Sequence, residues 1–354
     1  MSARLLVTLL REPSRAVEVE DWAGVLTAAR AESLLATLAH RLEGQEVPER
    51  VARLLDVARA DAAHAQRQAL WEAEMARRAL APLGIAPILL KGTAYVAAGL
   101  EAALGRSVGD LDILVPRERL AEVEAALLAA GWEWVKDDPY DQSYYRRWMH
   151  ELPPLIHRER DRMIDVHHSI LPLTHRAKPW PGDLLEQSRP LRDGLRILSP
   201  EHMVIHAAAH LIADGDLAGG LRNLWDIDRL CRDFAGENGE FFLSLAEEAW
   251  KHGLYAPTLR ALRLSRSLYG TPLVASHSPI LVQYHEQPGD RLFIRRMLAR
   301  DGWGRATRPV LRFGFYLRSH WLRMPPAMLA RHLWIKWRKP TPVSGAPGAG
   351  PQTA

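Results

Sequence analysis

Two aspartates lie two positions apart in the segment GRSVGDLDILV, residues 105–115, which otherwise has the pattern of a buried strand. Side chains two apart in a strand point to the same face, so Asp110 and Asp112 project together while Leu111 and Ile113 point into the core. Adjacent carboxylates repel each other unless a cation or a proton lies between them. Such oxygen pairs suit Mg²⁺ or Mn²⁺, with substrate phosphates completing the shell. The pair therefore predicts a metal site.

A third carboxylate, Asp165, occurs in the segment RMIDVHHS, where alternation places it on one face with His167. If this strand lies beside the first, three carboxylates can hold two metal ions, which activate an attacking oxygen and stabilise a leaving pyrophosphate. A plainer interpretation stays open. The first two acids could be solvated at the end of a strand, and Asp165 could be a surface acid that meets His167 or Arg162.

A site of this kind also needs groups that hold phosphates, and the segment LLKGTAY has a suitable form. A strand that runs into Gly92, Thr93 and a new helix presents free backbone N–H groups to an anion. Lys91 adds a charge and Thr93 a hydroxyl. Arg106, four residues before the first aspartate, could pair with a triphosphate. The combination of this segment with the three acids favours metal and nucleotide binding over the plainer interpretation.

The elements around these residues predict an α+β fold, in which a small mixed sheet is flanked by N- and C-terminal helical regions. Apolar residues recur at helical spacing in the first 80 residues, and a long helix is expected from about 51 to 83. A strand, helix, strand, helix, strand and hairpin follow. The predicted regions are an N-terminal helical region (1–84), the α/β core (85–172), a C-terminal helical region (173–290), a basic aromatic helical segment (291–340) and a disordered tail (341–354).

The segments ILLKGTAYVAAGL, GRSVGDLDILV and MIDVHHSI together resemble the nucleotidyltransferase superfamily of DNA polymerase beta. More closely, residues 20–235 are similar to the bacterial family of uncharacterised nucleotidyltransferases. Thr93 replaces the usual Ser of the superfamily and keeps its hydroxyl, Gly109 stands where many members have Ser, and His168 stands where the family has Trp. The resemblance implies Mg²⁺-dependent transfer of an NMP from an NTP, with release of pyrophosphate, to an acceptor that it does not name.

Two other functions remain open beside this one. The first is a catalytically silent binding or scaffold protein of a biosynthetic complex, and the second is an antitoxin-like enzyme that adenylylates a protein. The acceptor of a transferase could be a small molecule, a saccharide or a protein. His202, His206 and His210 line one helix face and could hold a metal, although a helix that faces the active-site cleft, or a set of core histidines, is the favoured interpretation. For Asp226 and Asp228, the resemblance suggests packing or acceptor contacts rather than catalysis.

Charge is distributed unevenly along the 354 residues, whose formal net charge is +4. Residues from 291 onward carry about +12 and the rest about −8, by a count of the sequence. The basic, aromatic segment 291–340 could contact a membrane surface or an acidic partner, or pack on the acidic body of the same chain. Nucleic acid is not expected as a partner. The single cysteine, Cys231, excludes an intrachain disulfide and, with no apolar run of spanning length, favours a cytoplasmic protein that is at most peripheral to a membrane.

Overall fold

The computed structural model describes residues 2–236, 240–273, 287–323 and 334. The part of the segment 291–340 beyond residue 323, apart from Trp334, and the predicted tail lie outside the described residues. The described α-helices are α1 (Ser2–Arg11), α2 (Trp22–Ala31), α3 (Leu35–Arg41), α4 (Glu49–Leu80), α5 (Lys91–Ala97), α6 (Leu120–Ala129), α7 (Pro139–Trp148), α8 (Pro181–Glu186), α9 (Pro200–Ala208), α10 (Gly220–Phe234), α11 (Glu240–Lys251), α12 (Tyr255–Tyr269), α13 (Asp290–Met297) and α14 (Pro309–Arg323).

Seven short strands form one mixed sheet with the order β3-β4-β5-β2-β1-β7-β6. The pairs β2–β5 and β1–β7 are parallel, and the other neighbours are antiparallel. This sheet, with helices before and after it in the chain, confirms the predicted α+β fold. The strands are β1 (Ile88–Leu89), β2 (Leu111–Leu114), β3 (Trp132–Trp134), β4 (Leu155–His157), β5 (Met163–His167), β6 (Arg189–Pro190) and β7 (Arg196–Ile197).

Local signals in the sequence account for most of these elements. The long helix α4 ends in a 3₁₀ turn at Gly84, whose φ of 66° is left-handed and suits a residue without a Cβ. Ser199 caps α9 by accepting a hydrogen bond from the His202 amide at 3.3 Å, and Pro200 fills the first helical position, as predicted. A π-helical turn, Ala209–Asp214, extends α9. The predicted hairpin is formed by β4 and β5.

Three elements were not predicted. Helix α7 is rich in polar and aromatic residues and lacks a clear apolar face. The strands β6 and β7 have two residues each, which is too short for an alternating pattern to be visible. These two strands lie in the same sheet as the predicted core, although they follow residue 172. The division of the chain into regions remains a prediction.

A continuous set of buried apolar side chains joins the helical regions to the sheet. On the inner face of the central strands, Ile113 is fully buried and its parallel partner Val166 is 1% exposed. Helix α10 packs against both α9 and α12, so that these C-terminal helices form one packed group. The opposite face of β2 and β5 carries polar residues, among them Asp112, Asp165 and His167.

Candidate active site

The strands β2 and β5 lie side by side in parallel register, and Asp112 is directly paired with Asp165. Because neighbours in register point to the same face, their carboxylates share the polar face of the sheet. Ligand atoms of Asp112, Asp165 and His167 all lie within 4.8 Å of one another. The structure therefore brings together two of the three predicted acids and adds a histidine.

The carboxylate of Asp112 is 7% exposed and has two partners that carry or can carry positive charge. The Lys91 ammonium donates to Oδ1 at 2.7 Å, and His167 Nε2 lies 2.9 Å from the same oxygen. Burial alone would raise the pKa of Asp112, but Lys91 and His167 outweigh burial and lower it well below its usual range. Asp112 is therefore ionised at neutral pH.

Asp165 has the opposite electrostatic environment. Burial, followed by the charges of Asp112 and Glu151, raises the pKa of Asp165 to about 7. Its Oδ1 atom is buried and has no hydrogen-bond partner among the described residues. A carboxyl that lacks a partner beside an ionised carboxylate is stabilised by a proton or by a cation. Of the two, only a cation would leave both acids charged.

Asp110 lies one residue before β2 and is exposed. Burial of its carboxyl, followed by the Asp112 charge, raises its pKa above the ordinary value. Its role as a metal ligand remains a prediction.

Beyond Asp112, His167 connects the site to Glu151 and to the neighbouring histidines. Its Nδ1 atom lies 3.3 Å from Glu151 Oε2, and its ring centroid lies 5.2 Å from that of His150. Burial lowers the pKa of His167, but Asp112 and Glu151 more than offset burial and raise it. His167 thus lies between two carboxylates, Asp112 and Glu151. The sequence placed His167 on the correct face, but no spacing pattern pointed to Glu151.

The predicted phosphate-holding segment begins α5, directly beside these acids. Lys91 has a left-handed φ of 47°, which is uncommon for a residue other than glycine, and its ammonium reaches Asp112 from there. A Cβ on Gly92 would lie 2.5 Å from Arg106 Nε, so only glycine fits without displacing that arginine. The Thr93 hydroxyl is buried without a hydrogen-bond partner in the described part of the chain. The four predicted phosphate-binding residues therefore form one neighbourhood.

The guanidinium of Arg106 is held by a carboxylate from a distant part of the sequence. Its Nη1 atom donates to Oδ2 of Asp226 on α10, and its guanidinium lies 5.6 Å from the centre of the Tyr95 ring. Asp226 is 3% exposed and also accepts a hydrogen bond from Arg222 at 3.3 Å. In this way Asp226 positions Arg106 beside Gly92. Packing or acceptor contacts were the two roles that the resemblance suggested for Asp226, and this contact belongs to the first of them.

The residues of the polar face fit a divalent cation. Asp112 and Asp165 supply the oxygen ligands that Mg²⁺ or Mn²⁺ prefers, and the unpartnered Oδ1 of Asp165 offers an open coordination position. The Lys91 ammonium already neutralises one of the two carboxylates. A bound cation would therefore share Asp112 with Lys91 or displace it.

A scan against known protein families supports the same interpretation. Residues 18–270, more than half of the chain, match the family described as uncharacterised nucleotidyltransferase. The chain belongs to the uncharacterised nucleotidyltransferase family. Membership makes it a transferase of the nucleotidyl class, and the matched region contains both the sheet and the helices α9 and α10. A search of the curated proteins found no match.

The described part of the basic segment packs on the rest of the protein. Arg318 of α14 donates to the Ile212 carbonyl at 2.7 Å. Within the basic segment itself, Phe315 contacts Phe293 edge to face, with ring centroids 4.9 Å apart. Other apolar side chains of this helix, such as Val310 and Phe313, are exposed. Among the described residues, no helix has the length and apolar character needed to cross a membrane. Contact with a membrane surface or an acidic partner remains a prediction.

Proposed function

We propose that this protein is a Mg²⁺- or Mn²⁺-dependent enzyme that transfers an NMP from an NTP to an acceptor and releases pyrophosphate. The observation that carries the proposal is the in-register pairing of Asp112 with Asp165 on neighbouring parallel strands. Family membership supports the class of reaction. The metal ions, when bound, would activate the attacking oxygen and stabilise the leaving pyrophosphate.

In this proposal, Asp112 and Asp165 hold the metal ions and Asp110 completes the ligand set. Asp110 is exposed and lies in a bend of the chain directly before β2, so it can turn toward a cation without disturbing the strand. Asp112 and Asp165 are instead fixed by the β2–β5 register. Asp112 and Asp165 would thus set the position of the metal, and Asp110 would turn toward the metal once it is bound.

Lys91 has two successive partners in this proposal. In the described structure its ammonium neutralises Asp112, which would otherwise be a buried carboxylate with His167 as its main partner. A triphosphate that enters with its metal ions offers Lys91 a second set of anionic oxygens. We therefore assign Lys91 to the β and γ phosphates, together with the backbone of Gly92 and the hydroxyl of Thr93.

Arg106 is proposed to add a further positive charge at the phosphates. Asp226 already holds one side of its guanidinium, whereas its Nε atom is buried without a hydrogen-bond partner in the described residues. A planar guanidinium that is fixed on one side loses little freedom when an anion binds on the other. Asp226 is thus a positioning residue for Arg106.

Asp165 is proposed as the base toward the acceptor hydroxyl. Without metal the pKa of Asp165 is raised to about 7; a bound cation would lower this pKa and keep the carboxylate charged, which is the form that accepts a proton. Asp112 is less suited to this role, because its Oδ1 already has Lys91 and His167 as partners. The identity of the acceptor is left open by this assignment.

Calorimetric titration with ATP, GTP, CTP and UTP in Mg²⁺ tests the proposal. Wild type should bind one NTP only with a divalent ion, and both Asp165→Asn and the double variant Asp110→Ala/Asp112→Ala should lose this binding. Asp161→Asn is the matched control, since Asp161 is an exposed acid in the β4–β5 turn with a φ of 53°, which asparagine tolerates. Absence of NTP binding with every divalent ion would overturn the proposal.

Turnover experiments then separate the possible acceptors. Release of pyrophosphate with a co-purifying protein as the labelled product would identify a protein acceptor. Release only after a small molecule or saccharide is added would identify that class. NTP binding without any pyrophosphate release, under all of these conditions, would instead indicate the silent binding protein.

A further inference from the structure

A second cluster of ligating side chains lies among the C-terminal helices, away from the carboxylates of β2 and β5. It consists of Asp183 of α8, His202 of α9, Glu248 of α11 and His252, which follows the end of α11. One ligand atom from each residue lies within 4.8 Å of the other three. Four side chains from three parts of the chain, namely α8, α9 and α11 with the residue that follows it, therefore converge on one point.

Four of the six distances between these ligand atoms lie within about 0.2 Å of the range expected around a tetrahedral zinc ion. His252 Nε2 lies 3.1 Å from His202 Nε2 and 3.2 Å from Asp183 Oδ2. His202 Nε2 lies 3.4 Å from that Asp183 oxygen and 3.6 Å from Glu248 Oε2. Zinc bonds of about 2.0–2.2 Å in a tetrahedron place the ligand atoms about 3.3–3.6 Å apart.

Burial separates this cluster from an ordinary group of surface charges. His202 is fully buried and His252 is 1% exposed. Oε2 of Glu248 is buried and has no hydrogen-bond partner among the described residues. It points toward His202, at the 3.6 Å given above. Burying a charged oxygen without a partner is unfavourable, and a cation bound beside Glu248 Oε2 would offset this cost.

The other oxygens of the two carboxylates have partners that fix their orientation. Lys251 donates to Glu248 Oε1 at 2.5 Å, and the side-chain amide of Gln187 donates to Asp183 Oδ1 at 2.8 Å. Metal-ligating carboxylates commonly have such hydrogen bonds from outside the ligand set. One oxygen of each carboxylate is thereby held outside the cluster, and the other is presented to its centre.

We propose that Asp183, His202, Glu248 and His252 form a structural zinc site. Two imidazole nitrogens and two carboxylate oxygens make a closed four-ligand set, with no position left for a substrate. Mixed nitrogen and oxygen ligands favour zinc over Mg²⁺, which prefers oxygen alone. Zinc would join α8, α9 and α11. It would also fix α9 one turn before His206, a buried histidine whose pKa is lowered by burial and then by Lys91.

Zinc binding changes the proton arrangement of His252. The backbone N–H of Trp180 donates to His252 Nδ1 at 3.1 Å, so the proton of the neutral ring lies on Nε2 in the metal-free arrangement. Ligation through Nε2 moves this proton to Nδ1 and breaks the bond from Trp180. The competing arrangement is a metal-free network in which His252 Nε2–H donates to Asp183.

Metal analysis of the full-length protein, purified without chelator and in excess Mg²⁺, tests the site. Wild type should carry one zinc per chain, and Glu248→Gln should lose it. Glu247→Gln is the matched control, since Glu247 is the exposed neighbour on the same helix and should retain zinc. Asp112→Asn should also retain zinc, which separates this site from the carboxylates of β2 and β5.

Two measurements on wild type do not depend on the folding of a variant. Removal of zinc with a chelator should lower Tm by about 5 °C or more, and Zn²⁺ alone should restore it. Co²⁺ added to the stripped protein should give the intense visible absorption of a four-coordinate ion. A stripped protein that binds no Zn²⁺, or zinc that is kept by Glu248→Gln or lost in Asp112→Asn, would overturn the proposal and leave the metal-free network.

Discussion

Asp112 and Asp165 are paired in register on neighbouring parallel strands, yet their carboxyls have opposite electrostatic environments. Lys91 and His167 hold Asp112 in its charged form, whereas burial and the nearby carboxylates favour the neutral form of Asp165. The charge of Asp112 is therefore neutralised by groups of the protein itself, whereas Asp165 needs a proton or a bound cation.

Replacement of Asp165 by asparagine should stabilise the metal-free protein at pH 8. An unfolded aspartate titrates near pH 4, whereas the pKa of folded Asp165 is about 7. The stability that its neutral form contributes is thus fully present below about pH 4 and is lost as the pH rises through 7. Asparagine stays neutral at every pH. The free energy of unfolding of Asp165→Asn should therefore exceed that of wild type by on the order of 1 kcal/mol at pH 8, and the two proteins should be equally stable at pH 4.

Chemical denaturation in chelator at the two pH values measures this difference. Asp161→Asn, the exposed control, should not depend on pH in this way. Saturating Mg²⁺ should reduce the extra stability of Asp165→Asn at pH 8, because the cation stabilises the charged Asp165 that only wild type contains. A variant that is less stable than wild type at pH 8 would contradict the assignment.

Lys91→Met should make the protein more dependent on a divalent cation. Methionine retains an unbranched apolar chain but removes the ammonium that donates to Asp112 at 2.7 Å. The metal-free variant should be less stable by about 1–3 kcal/mol, since a buried carboxylate loses a charged partner. Added Mg²⁺ should therefore raise Tm more in Lys91→Met than in wild type. Lys136→Met, at an exposed position, serves as the control. If Mg²⁺ raises Tm equally in wild type and in both variants, the prediction is wrong.

Asp226→Asn should destabilise the fold and weaken NTP binding together. Asp226 is the buried carboxylate between Arg106 and Arg222, so its loss leaves two guanidinium groups without their charged partner. Breaking a buried ion pair costs about 3–5 kcal/mol, which denaturant unfolding can measure. Asp233→Asn at the exposed end of α10 should cost about 1 kcal/mol or less. If the two variants behave alike, Asp226 does not position Arg106.

Phe315→Ala and Phe313→Ala test how α14 packs. Phe315 is 6% exposed and contacts Phe293, whereas Phe313 is 60% exposed. Phe315→Ala should lower the free energy of unfolding by about 3–5 kcal/mol, and Phe313→Ala should lower it by about 0.5 kcal/mol or less. Equal, small effects in thermal or chemical unfolding would show that α14 is not docked on the body.

Local spacing in the sequence determined much of the framework. Alternation predicted β2 and β5, the absence of Gly and Pro predicted α4, and Ser199 with Pro200 predicted the start of α9. The resemblance to the nucleotidyltransferase family also rested on short contiguous segments, and the family comparison confirms it. These features could be predicted from the sequence because each depends on residues that lie only a few positions apart in the chain.

Only the tertiary structure decided which of these segments meet. The sheet order placed β5 beside β2 and set Asp112 opposite Asp165. Chain packing brought Asp226 to Arg106, 120 residues away, and His252 to His202, 50 residues away. A periodic pattern shows which face a side chain occupies but not which strand or helix covers that face. Partners of this kind depend on the packing of the whole chain, so spacing alone could not identify them.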